Sequence, residues 1–180
     1  MIKKLLNLKH SVLLETELDM IKKLDTLLEK AAIKKLGKKN KIIYAAAFLT
    51  NEGKNDLKNW WESNVREPLF PRLFLHHMTI KWKPSLEEVL SLPIGEEVML
   101  NAVGYAASGD IQAVAISTDL PVSNKIPHIT ISANEGISPV KSNDLLDNGF
   151  ISIEGLELRA RIGYWDGKEA IYEYPEEDES

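Results

Sequence analysis

Two short stretches of this sequence set a titratable ring beside a hydroxyl at the same spacing. LFLHHMTIKW, residues 73–82, and IPHITISAN, residues 126–134, each carry His, one spacer and Thr inside an apolar run. On a β-strand, successive side chains point to opposite faces. His77 and Thr79 then share one face and leave Met78 and Ile80 on the other. His128 and Thr130 are divided in the same way from Ile129 and Ile131. Two such strands facing across a groove bring together two imidazoles and two hydroxyls, a set suited to hydrolysing a phosphate ester. One group must take a proton from water and another must give one to the leaving oxygen, and a pair of histidines near neutral pH can hold one ring neutral and one protonated. The hydroxyls can donate to the non-bridging phosphate oxygens as charge builds there. No metal or other cofactor is required by that scheme. A single His-x-Thr is a weak signal; two copies in a repeated order of elements are a strong one.

Other residues are placed by the same reasoning. Lys81 lies at even spacing from His77 and Thr79, so on a regular strand it faces the same groove and can attract a phosphate or nucleotide. Its bland alternative is a strand-end lysine in solvent. Tyr44 can stack on a base or pack in the core. Ser142 is a good helix N-cap, and Asn143 beside it can orient a histidine or bond a base. Trp60 and Trp61 fall at helix spacing with Leu57 and read as core. His76, adjacent to His77, is expected on the opposite face in a structural role, and His10 has no partner in the sequence.

The elements that position these residues follow from periodicity. Leu13, Leu14, Leu18, Ile21, Leu24, Leu27 and Leu28 recur at three- and four-residue steps, predicting a helix over 11–36 that stops at Gly37. Its apolar stripe needs a packing surface, most simply the body of the domain. KIIYAAAFLT, 41–50, reads as a buried strand despite its alanines, and 51–66 as a helix. Ser85, with Glu88 three residues on, forms a capping-box pattern. Two strands are expected to turn near Ser108-Gly109-Asp110, and two more, 150–164 and 169–174, at Asp166-Gly167. The chain therefore twice writes a His-x-Thr strand, a short helix, a glycine, a long strand, a Gly/Asp turn and a strand. Two such copies suggest two equivalent halves rather than a solenoid.

Composition bounds the rest. The 180 residues include no cysteine, which excludes thiol catalysis, Cys-ligated metal sites and disulfides. No apolar run has bilayer length, and the charged start is unlike a signal peptide, so a cytoplasmic protein without a membrane partner is expected. The net charge of −5 is split: residues 1–41 sum to +6 and the remainder to −11. A basic front can grip a polyanion or simply be the wet face of a helix. Residues 1–40 thus read as a basic amphipathic helical extension, 41–174 as the domain and 175–180 as an acidic disordered tail.

The paired motifs resemble those of the 2H phosphoesterase superfamily, which includes 2′-5′ RNA ligase-like proteins and cyclic phosphodiesterases. PHITISANEGISPVKSNDLL further resembles the cyclic phosphodiesterase domain of fungal-type tRNA ligases, and YAAAFLT followed by HHMTI is similar to the front of that group. The resemblance covers about residues 41–174. It implies a bilobal α+β fold in which two antiparallel sheets, related by a pseudo-twofold, meet in a V with helices outside. It implies metal-independent hydrolysis of 2′,3′-cyclic phosphate ends of RNA or nucleotides. His77 and His128 become the acid/base pair, in either order, and Thr79 and Thr130 the phosphate-holding hydroxyls. If the product is a 2′-phosphate, as in many relatives, the acid protonates the 3′ oxygen. Residues 1–40 have no counterpart, and no ligase or kinase domain accompanies the stretch, so a free-standing phosphoesterase is expected. The alternatives are a hydrolase of cyclic oligonucleotide signals and a module that binds RNA ends or a nucleotide without turnover. Base preference, substrate length and oligomeric state are not legible.

Overall fold

A computed structural model of the chain describes residues 19–28 and 41–175. They belong to two compact units. Residues 19–28 are helical (α1), and Ile21, Leu24, Leu27 and Leu28 of the predicted stripe are exposed on them. The rest of the predicted 11–36 helix, its Gly37 stop, His10 and the acidic tail after Pro175 lie outside the described residues.

The second unit alternates strand and helix. Its order is β1 (Tyr44–Leu49), α2 (Asn51–Asn64), β2 (Arg72–Leu73), β3 (His77–Trp82), α3 (Leu86–Leu90), β4 (Glu97–Ala107), β5 (Ile111–Ser117), β6 (His128–Ala133), α4 (Lys141–Asp147), β7 (Ile151–Trp165) and β8 (Ala170–Ile171). The local signals act as their chemistry dictates. Thr50 caps α2 by accepting from Gly53 N at 3.1 Å. Ser85 and Glu88 form the reciprocal capping box of α3. Ser108 Oγ accepts from the amides of Asp110 and Ile111 at the β4–β5 turn, and Asp166 Oδ1 from those of Lys168 and Glu169 at the β7–β8 turn.

The fold is α+β, but the strands do not divide into two sheets as expected. They form one antiparallel ring, β1-β3-β6-β5-β4-β7, closed by β1 pairing with β7; β2 adds to β6 and β8 to β7. The order around the ring is symmetric. β3 lies beside β6 and β4 beside β7, while β5 bridges β6 to β4 as β1 bridges β3 to β7. The counterpart of β5 is therefore β1, not the strand after Gly167, which is only two residues long. Each half takes its third strand from the chain segment that precedes its His-Thr strand.

The main core lies on one face of the ring. It joins Ala45 and Ala47 of β1, Leu57 and Trp61 of α2, Met78 and Ile80 of β3, Ile129 and Ile131 of β6, and Leu158, Ala160 and Ile162 of β7. The alanines that weaken β1 as a strand by propensity are fully buried there, so packing overrides propensity. Trp60, expected in this core, only packs at its edge. A smaller cluster, Ala106, Ala113, Ala115 and Leu146, seats α4 on β5.

Helix α2 rests directly on the backbone of β7. A Cβ placed on Gly53 would come 2.3 Å from the carbonyl oxygen of Arg159, the same oxygen that accepts the Thr50 amide at 3.0 Å. The carbonyl cannot retreat without losing that bond. Gly53→Ala is expected to cost about 1–3 kcal/mol, as overpacking does, read as a lower urea midpoint at unchanged m-value. An unchanged midpoint would show that α2 is not held this closely.

Candidate active site

The two motif strands meet at one register pair, Met78 with Ile129. Both side chains are fully buried in the core. Their flanking neighbours must then point the other way. His77, Thr79, His128 and Thr130 all line one cavity of about 750 Å³. Leu73, Phe74, Pro139, Val140 and Asn143 also line it, as do Tyr44, Trp82, Asn124 and His76. The chain direction orders these groups. Leu73 and Phe74 precede the first motif and run beside the far end of β6, whereas Trp82 follows it, and the amide of Ser123, next to Asn124, bonds the Ile80 carbonyl at 2.8 Å. The motif residues lie between an aliphatic and aromatic end and a tryptophan end.

The second motif is held by its own half. His128 Nδ1 lies 2.8 Å from the carbonyl oxygen of Ile126. A carbonyl only accepts, so Nδ1 keeps its proton and Nε2 is the nitrogen that exchanges one. Ala115 and Ala113 pair with His128 and Thr130 and leave room for α4 to pack. The helix brings Ser142 Oγ to 2.9 Å from Thr130 Oγ1. Ser142 is fully buried and does not line the cavity, and it lies inside α4, whose N-cap is Val140 without a side-chain bond. The capping expected for it is not found; its hydroxyl lies within hydrogen-bond distance of Thr130 instead. Asn143 does reach the cavity, with its Nδ2 donated to the Val140 carbonyl at 2.9 Å.

The first motif departs from a regular strand at both ends. The β1–β3 register shifts between Ala45 and Ala46, so Ala46 pairs with Thr79, Ala45 with Lys81 and Tyr44 with Trp82. This bulge at Ile80 reverses the alternation beyond it. Lys81 turns away, to an ion pair with Glu88 at 3.3 Å, and Trp82 takes the groove position predicted for it. Before the motif, Leu75 adopts φ +43°, a left-handed conformation that is costly for a leucine. His76 therefore lies outside the strand and enters the cavity with His77, rather than facing away. Its Nδ1 is 3.0 Å from His77 Nδ1.

Tyr44 stacks on His77 with centroids 4.9 Å apart, and on Trp82 and Trp165 at 5.9 and 6.3 Å. These are its cross-strand neighbours on β3 and β7. The ring is thus a buttress in a three-strand aromatic ladder whose open member is Trp82, 58% exposed.

Among the described residues, no carboxylate, lysine or arginine lines the cavity, although the whole chain is acidic. Its cationic charge comes from three imidazoles. Burial pushes His77 down to about 4, with repulsion from His76 and His128 adding to it. Burial lowers His128 as well, against a contribution from the Ile126 carbonyl that favours the cation. Burial and then the Lys54 ammonium lower His76. Burial raises Tyr44, which stays a neutral phenol. Among the described residues, no group of three or more His, Asp or Glu side chains is placed to hold a metal ion.

Trp82, His76, Phe74 and Asn124 were not singled out from sequence as groove residues. Trp82 and His76 were hidden by the bulge and the positive φ; Phe74 and Asn124 carry no pattern that marks them. No curated protein matches the chain. A family model does match it over residues 92–161, a stretch that contains His128, Thr130, Ser142 and Asn143 but neither Tyr44 nor the first motif. Across that stretch the chain is similar to the fungal tRNA ligase phosphodiesterase domain.

Proposed function

We propose that the cavity hydrolyses 2′,3′-cyclic phosphate ends of RNA or of nucleotides. The observation that carries this reading is the convergence of His77, Thr79, His128 and Thr130 on one cavity that no carboxylate lines. Water attacks phosphorus, and the bond to one ribose oxygen breaks. One imidazole takes the proton of the water while the other gives a proton to the leaving oxygen, so the pair ends with its proton exchanged between rings. The partners of the two rings assign the roles. The His128 cation is favoured by the Ile126 carbonyl, while a charge on His77 is opposed by two neighbouring imidazoles. The first proton on the pair thus resides on His128, making it the acid and His77 the base. Thr79 and Thr130 hold the non-bridging oxygens, Thr130 with its rotor set by Ser142. By its resemblance the expected product is a 2′-phosphate, with the 3′ oxygen leaving.

The cavity continues past the motif residues in both directions, at Trp82 and Asn124 and at Phe74, Pro139 and Val140. That favours a substrate longer than a mononucleotide, an RNA end whose neighbouring nucleotide also enters the cavity or a cyclic oligonucleotide.

Three outcomes follow. In EDTA, the protein opens the cyclic phosphate of a dinucleotide, and His77→Ala or His128→Ala lowers kcat by roughly 10²–10⁴-fold, the usual worth of a general acid or base; turnover that survives either change sinks the two-histidine scheme. The pH profile of kcat/KM lies on the acid side of an ordinary histidine profile. Both rings bind protons less readily than normal, so activity climbs as the pH falls below the ordinary histidine range and His128 takes the first proton, then falls as His77 takes the second at about 4. A plateau above neutrality would contradict this. Trp82→Ala raises KM for the dinucleotide about ten-fold, within the range for lost base stacking, while Lys81→Ala shifts it less than about two-fold; the reverse order would return Lys81 to the groove.

A further inference from the structure

Of the three histidines lining the cavity, His76 belongs to neither motif. Its Nδ1 lies 3.0 Å from the Nδ1 of His77, with the two rings edge-on at 87°. Two ring nitrogens at this distance must share a single proton, because two lone pairs or two N–H groups would repel. The contact is built into the backbone: the left-handed Leu75 just before it brings consecutive residues to one side, and the His76 carbonyl is fixed by the Leu49 amide at 2.9 Å. Phe48 and Trp165 flank the His76 ring edge-on.

We infer that His76 is a positioning residue for the first motif, accepting the Nδ1 proton of His77 and so keeping the Nε2 lone pair of His77 turned toward the cavity. This rests on the acid/base reading above, in which His77 must take a proton from water at Nε2. The logic is that of any acceptor that fixes an imidazole tautomer: the hydrogen bond at one nitrogen decides what the other can do. The second motif meets the same need with the Ile126 carbonyl. The two halves are therefore unequal. The acceptor of His128 can never be protonated, whereas the acceptor of His77 can.

The surroundings keep that acceptor neutral in ordinary conditions. His76 faces Lys54 from α2, His77 from β3, Phe48 from β1 and Trp165 from β7. His77 faces His76, His128 from β6 and the Tyr44 phenol from β1. Burial and the Lys54 ammonium hold His76 below its usual range, so it is neutral at neutral pH and able to accept. In acid it gains a proton and becomes a donor. His77 is then forced into the Nε2–H tautomer, which cannot act as a base.

The test pairs ¹⁵N NMR of the imidazoles with kinetics on the full chain, using His76→Phe and His76→Asn. Asparagine offers a carbonyl oxygen near the position of Nδ1 and does not titrate. Expected above neutral pH is an Nδ1–H tautomer for His77 in the wild type and H76N, shifting to Nε2–H in H76F. On the cyclic-phosphate dinucleotide, H76F loses on the order of 100-fold in kcat with little change in KM. H76N recovers most of that loss. An Nε2–H tautomer in the wild type, an unchanged tautomer in H76F, or equal impairment of both variants overturns the inference. If the wild type turns over no cyclic phosphate, the catalytic reading fails by itself, while the NMR tautomers still decide whether His76 is the acceptor. The wild-type tautomer also decides the question should H76F not fold.

Discussion

The arrangement depends on a single contact between strands. Met78 and Ile129 form the one register pair that joins β3 to β6, and both are sealed in the core. Strand alternation does the rest, because burying those two side chains forces the motif residues on either side toward the cavity. A slip of one residue would put imidazoles and hydroxyls into the apolar interior and methionine and isoleucine into the groove. The hydrophobic effect thus sets the geometry of the polar site, without a direct bond between the two motifs. Before the first motif the chain stays bonded to β6 through the Phe74 and Leu75 amides, and the cavity is lined from the face that the motif residues share.

Much of this was legible in the sequence, and the failures have physical causes. The shared face of each His-Thr pair is a consequence of period two over three residues, too short a span for irregularity to intervene. Extrapolating the same period to Lys81 crossed the bulge at Ile80, and extrapolating it back to His76 crossed the positive φ of Leu75. Neither feature has a glycine, asparagine or proline to announce it. The capping box at Ser85 was legible because both halves of the bond lie within four residues. Ser142 carries the same type of signal, yet its hydroxyl is taken by Thr130, a tertiary partner twelve positions away. The doubling of the chain was also visible, but not that β1 is the counterpart of β5: this equivalence lies in pairing, which sequence order conceals.

The electrostatics follow from exclusion rather than attraction. In a chain of net charge −5, a cavity without carboxylates is a local departure from the whole. An anion entering it meets no fixed positive charge either. Among the described residues the cations that can form there are imidazolium, and an approaching phosphate favours the protonated form. The family match covers the half that contains His128 and α4, and the ring supplies the first motif from the other half.

The β1–β7 seam has a consequence for how the domain is made. Tyr44 pairs with Trp165, and Leu49 with Ala160. The first strand of the ring has its long partner in the last, more than a hundred residues later. Until β7 leaves the ribosome, β1 and β4 each expose an open edge, and unpaired edges template wrong associations. A ring with this connectivity cannot mature one half at a time. Contacts so distant in sequence slow folding relative to a domain of local pairs. The nascent domain must therefore be kept from aggregating until β7 has been made, and products ending before β7 are substrates for proteolysis rather than half-sized, partly working domains.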